Sequence, residues 1–144
     1  MVKKIFLVLI CSIGLIIFVS TLYSQGSKKT ITLPNGEVVC DLNGEWDALY
    51  ENLGAFQQRY GNLTDILKIT QQDGSFVGVR MIGTIWVPKG DISITGELDK
   101  NGFKKVQVRF GWGNDLDCKG QISENGNQII IDGGERIRVT LTRK

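Results

Sequence analysis

Leu42-Asn43-Gly44-Glu45-Trp46 is the stretch on which the fold of this 144-residue chain turns, and Leu141-Thr142-Arg143 is its counterpart at the far end. Between the two, apolar and polar residues alternate in short runs, the period of a half-buried strand. Turns carrying Asn35-Gly36, Asp73-Gly74, Asn101-Gly102 and Asn125-Gly126 separate the runs, and such steps supply the positive φ angles of tight hairpins. Eighteen glycines against two prolines fit a chain that turns often.

Working outward from the motif, Thr30–Leu33 and Glu37–Cys40 read as a short leading ribbon. Ile66–Thr70 is a strand, and Phe76–Val87 a long return strand with Val77, Val79, Met81, Ile85 and Val87 on one face and Arg80 and Thr84 on the other. Gly83 would allow a bulge there. Trp86 falls opposite Met81, where exposure would mark a partner surface. Ile92, Ile94 and Leu98 alternate with polar residues, as do Val106, Val108, Phe110 and Trp112. Cys118–Ser123, Gln128–Ile131 and Ile137–Leu141 complete the series. Only Asp47–Asn62 departs from it: Leu49, Leu53, Phe56 and Tyr60 have helical spacing. That segment reads as a short helix or an ordered loop, either covering one end as a lid or packing on the sheet.

The expected fold is therefore all-β, an antiparallel up-and-down barrel of about eight strands, since closing a meander on itself is the simplest way to remove its exposed edges. A glycine-rich sandwich is the alternative.

The first 26 residues read differently. Lys3 and Lys4 precede an uncharged run from Ile5 to Tyr23, broken only by Cys11, Ser12, Gly14, Ser20 and Thr21. A basic start before a long apolar stretch addresses a chain to the export machinery. The run, of about nineteen residues, is nearly long enough to span a bilayer, while Ser24 and Gly26 are small enough to flank a cleavage site. Residues 1–26 are expected to be a signal peptide or an N-terminal membrane anchor, and 27–144 a single β-barrel domain. Ile10, standing before Cys11, does not suit a lipid-anchor signal.

Export decides how the three cysteines are read. Cys11 belongs to the leader, which leaves Cys40 and Cys118 as an even pair in an oxidising compartment. They are expected to form a disulfide, and closing a loop of about eighty residues would add roughly 4 kcal/mol. Two buried free thiols are the alternative.

Two of the 17 basic residues lie in the leader, and 15 acidic residues balance the rest. A neutral domain has no clustered cations for nucleic acid, and contact with a membrane is expected only through the N-terminal segment if it is uncleaved. The chain has no histidine, which removes the commonest general base and the commonest transition-metal ligand together. Asn114, Asp115 and Asp117 lack a full calcium-loop pattern. Glu45, Glu97 and Asp132 show no spacing of paired acid and base. No catalytic residue, metal or cofactor is expected.

Gly44-Glu45-Trp46 at the start, a meander of the right length and Thr142-Arg143 at the finish together resemble the calycin group of small barrels, which comprises lipocalins, fatty-acid-binding proteins and avidins. The resemblance covers Leu42 to Arg143. It implies that Trp46 packs against Arg143 to close one end of the barrel, a cation over an indole face. Leu42–Trp46, Phe76-Val77-Gly78 and the final Thr142-Arg143 are similar to avidins in particular. Arg80 stands where that family places a biotin-contacting tyrosine, so biotin binding is not implied.

A barrel of this size either fills itself or holds one small ligand. Met81, Ile94, Val108, Phe110 and Trp112 are the candidate cavity residues, with ordinary core as the alternative for each. The expected function is that of an exported, non-enzymatic, lipocalin-like protein holding a small apolar ligand. The alternative is a protein-interaction module, an inhibitor or envelope-assembly factor, with a filled barrel and a protein partner near Trp86 or the 47–62 segment.

Overall fold

The alternating runs fold into strands that each lie antiparallel beside the next. In the computed structural model, which describes residues 27–110 and 113–144, a ribbon of β1 (Thr30–Thr32) and β2 (Val38–Cys40) precedes the barrel strands. These are β3 (Gly44–Asn52), β4 (Asn62–Gln72), β5 (Ser75–Arg80), β6 (Ile92–Asp99), β7 (Gly102–Arg109), β8 (Asp115–Ile122), β9 (Gln128–Asp132) and β10 (Ile137–Arg143). One helix, α1 (Gly54–Tyr60), lies between β3 and β4. β10 pairs with both β9 and β3, so the eight strands form a closed up-and-down barrel with no free edge. The expected leader, residues 1–26, and Trp112 lie outside the described residues.

Closure occurs at the motif. Arg143 is the register partner of Trp46, and its guanidinium carbon lies 4.3 Å from the centroid of the indole. Arg143 Nη1 donates to Asn43 O at 3.0 Å and Nη2 donates to Asp41 O, while Trp46 Nε1 donates to Leu42 O at 2.9 Å. The cation thus tethers the segment entering the barrel to the strand leaving it. Above it, Leu42, Leu67, Ile69, Ile94, Val106, Ile129 and Leu141 are all buried, packing this end of the barrel solid.

The inward phase of β5 differs from the one expected. Phe76, Gly78 and Arg80 are buried, whereas Val77 and Val79 lie half-buried on the outer face. The hairpin register explains this, because β5 pairs Ile69 with Gly78 and Leu67 with Arg80. Partners across a ladder share a face, so the inward side of β4 dictates that of β5. Gly78 is needed there because a Cβ would stand 2.5 Å from Ile94 Cγ1. The register then slips between β5 and β6, and this bulge buries both Ser93 and Ile94. β5 ends at Arg80, and residues 81–91 form a connection instead of the expected longer strand. The Asp47–Asn62 segment likewise divides, with its first part in β3 and only Gly54–Tyr60 helical.

The expected Cys40–Cys118 disulfide is absent, and both thiols are free. Cys40 Sγ faces Gly126 in the turn between β8 and β9. Cys118 lies four residues back along β8 from Ile122, at the base of that turn. Four residues of strand span about 13 Å, and cysteines whose Cα atoms lie beyond about 7 Å are not bridged. Burial pushes both thiols above their ordinary pKa.

Replacing Trp46 with alanine is expected to destabilise the domain by on the order of 3 kcal/mol. The fall in the urea midpoint measures it, and a midpoint within experimental error of the parent protein's would show that the seam does not hold the barrel.

Candidate functional site

The end of the barrel away from Trp46 is open. A cavity of about 290 Å³ lies there, beneath α1 and the 81–91 connection. Its inner wall comes from inward positions of five strands: Tyr50 and Asn52 of β3, Leu63 of β4, Arg80 of β5, Val108 of β7 and Ile137 of β10. Its rim is aromatic. Phe56 lies 5.8 Å from Phe110 and 6.1 Å from Tyr60, and Tyr60 meets Trp86 edge-on at 5.3 Å.

The helix that carries two of these rings is short and has no buried residue and no side-chain N-cap. Asn52 Nδ2 donates to Gly61 O at 2.6 Å, and Leu53 N donates to Arg136 O at 2.9 Å, so its ends are fixed while its face is held chiefly by rings. Helices of this length have little stability of their own, so α1 depends on these contacts for its order.

Arg80 and Asp65 anchor the inner wall. Their side chains are 4% and 0% exposed, and Arg80 Nη1 lies 3.1 Å from Asp65 Oδ2. Asp65 accepts further bonds from Ile66 N at 2.7 Å, Ile82 N at 3.0 Å and Gly83 N at 3.1 Å. Its carboxylate thus ties the 81–91 connection to β4. Gly83 has a φ of +82°, and a Cβ there would lie 2.3 Å from Lys89 N, so the connection tolerates only glycine at that position.

The guanidinium carbon of Arg80 lies 4.4 Å from the Tyr50 ring centroid. The Tyr50 and Ser93 hydroxyls share a hydrogen bond of 2.6 Å. Burial pushes the Tyr50 hydroxyl pKa up against the pull of Arg80, so it stays protonated. Arg80 Nε is buried with no hydrogen-bond partner among the described residues, and a donor left so costs about 1–3 kcal/mol.

Of the cavity residues expected from sequence, Val108 and Phe110 line this space. Met81 is half-buried beyond the end of β5, and Ile94 packs against Gly78 in the filled part of the core. Trp112 lies outside the described residues. Trp86 is 43% exposed and contributes to the mouth. Sequence reasoning passed over Tyr50, Asn52, Arg80 and Arg136, all of them polar or assigned to other elements.

Asp115 and Asp117 are engaged across strands. Arg109 holds Asp115 at 2.8 Å and lowers its carboxyl pKa, and Gln107 Nε2 donates to Asp117 at 2.7 Å. Among the described residues no three Cys, Asp or Glu side chains gather as a metal would require.

No family model, curated protein or solved structure matches this chain. The fold and the site define a closed eight-stranded barrel with one solid end and one open, aromatic-rimmed end.

Asp65→Ala is expected to cost about 3–5 kcal/mol, because it leaves Arg80 as a buried cation without its partner. The double variant Asp65→Ala/Arg80→Met should recover part of that loss. Urea unfolding of the two single variants and the double variant checks this, and strictly additive losses would contradict coupling of the pair.

Proposed function

We propose that this protein is an exported, non-enzymatic binding protein of the lipocalin-like kind, which holds a small apolar ligand in the open end of its barrel. The cavity carries the reading: about 290 Å³ beneath a rim of Phe56, Tyr60, Trp86 and Phe110, in a barrel whose other end is solid. Pockets for small molecules begin at roughly 300 Å³, so this one suits a compact ligand. The solid end favours the calycin likeness as well, because Trp46 and Arg143 occupy its closing positions. Export rests on Lys3, Lys4 and the uncharged run to Tyr23.

A second reading, a protein-interaction module, draws on the 81–91 connection. Ile82, Ile85 and Trp86 are 60%, 89% and 43% exposed there, an apolar surface beside the mouth.

Titration with N-phenyl-1-naphthylamine, an uncharged apolar fluorophore, separates the two. Ligand binding predicts saturable quenching of tryptophan emission that largely disappears in Trp86→Phe. The absence of any saturable change with this or other apolar probes, together with a copurifying protein released by Ile85→Asp, would replace the first reading with the second. Fusing residues 1–26 to alkaline phosphatase, which is active only outside the cytoplasm, should give an active enzyme; an inactive fusion would remove export.

A further inference from the structure

The cavity lining is not apolar throughout: beside the aromatic rings stand the exposed Arg136, the part-exposed Arg109 and, on the inner wall, the buried Arg80. Three arginines line it, Arg80, Arg109 and Arg136, and no carboxylate does. Arg109 is engaged by Asp115 in a partly exposed pair. Arg80 is different, since its side chain is 4% exposed and one face rests on Tyr50. Among the described residues the only hydrogen-bond partner of its side chain is Asp65, on Nη1. Asp65 itself is already shared with three backbone N–H groups. Nε, on the side edge away from Nη1, has no acceptor among the described residues.

We infer that the open end is a site for a small aromatic carboxylate whose acid group seats on the free side edge of the Arg80 guanidinium and whose ring lies among Phe56, Tyr60, Trp86 and Phe110. The inference rests on the ligand-binding reading above and adds the chemical class. A carboxylate matches an arginine edge with two parallel acceptors, and it gives Nε–H the partner it lacks. Tyr50 and Asp65 hold the guanidinium plane and one end, so the edge is set before the ligand arrives. The ring system is small because the cavity stops at the solid core: Leu67, Ile69, Ile94 and Ile129 fill the barrel beyond it, leaving no channel for a long acyl chain.

The test compares 2-naphthoate, its neutral isostere 2-naphthamide and dodecanoate by isothermal titration of the folded protein. The expected result is that naphthoate binds about tenfold or more tightly than naphthamide, the scale of a hydrogen bond to a charged group, and more tightly than dodecanoate. Arg80→Met/Asp65→Asn, which removes the ion pair together, should abolish the preference, so that naphthoate and naphthamide bind this variant with the same affinity. Should that variant not fold, the Arg80 Nε–H resonance of the unaltered protein supplies the readout, and it should shift on titration with naphthoate but not with naphthamide.

Equal affinity for naphthoate and naphthamide would overturn the carboxylate site while leaving the cavity reading intact. Dodecanoate binding tighter than naphthoate would overturn the aromatic assignment. No saturable binding of any probe would overturn the cavity reading and this inference together.

Discussion

The guanidinium of Arg143 lies over the indole of Trp46 at the one place where the first and last strands of the barrel meet. A sheet of this length has two edges, and each would be a template for wrong pairing if left open. The contact joins them, and the arginine spends its donors on Asn43 O and Asp41 O just outside β3. The entering chain, the closing strand and the plug of the solid end are therefore one unit. Cation over indole contributes about 0.5–2 kcal/mol, less than the burial of the ring itself, so the tryptophan matters more as volume and the arginine more as a tie.

The barrel contains a second arginine over an aromatic ring, and the two pairs are used differently. At the solid end, Arg143 faces apolar packing on one side and backbone carbonyls on the other. At the open end, Arg80 lies on Tyr50 with Asp65 at one nitrogen and, among the described residues, no partner for Nε. Burying a charged pair rarely adds stability compared with apolar residues of the same size. Under the proposal that the open end holds a ligand, the pair serves to present the Arg80 edge to the cavity, while Asp65 also fixes the 81–91 connection.

Much of this was legible in the sequence. The strand count and the turns follow from period-two alternation and from Asn-Gly and Asp-Gly steps, and the closing pair is what the resemblance of the two ends to calycin barrels implies. The inner wall was not, and the reason is physical. β5 carries valines on its outer face and Gly78 and Arg80 on its inner one, so hydropathy alone points the strand the wrong way round. The signal that would have corrected it was present: a hairpin turning between Gln72 and Ser75 sets Arg80 opposite Leu67, and a buried Leu67 carries Arg80 inward with it. The cysteines failed for another reason. An even count in an exported chain says that a bond is permitted, while position along β8 decides whether it is reachable.

The molecule has a solid end tied by Trp46 and Arg143 and an open end beneath a helix with no buried residue, and residue-resolved amide hydrogen exchange under native conditions tests that division most directly. The seam amides of β3 and β10 should exchange only through global unfolding, with the slowest rates in the protein. Those of α1 and the 81–91 connection should exchange much faster, through local opening. Seam amides exchanging as fast as those of α1 would contradict the division and, with it, the role given to Trp46 and Arg143.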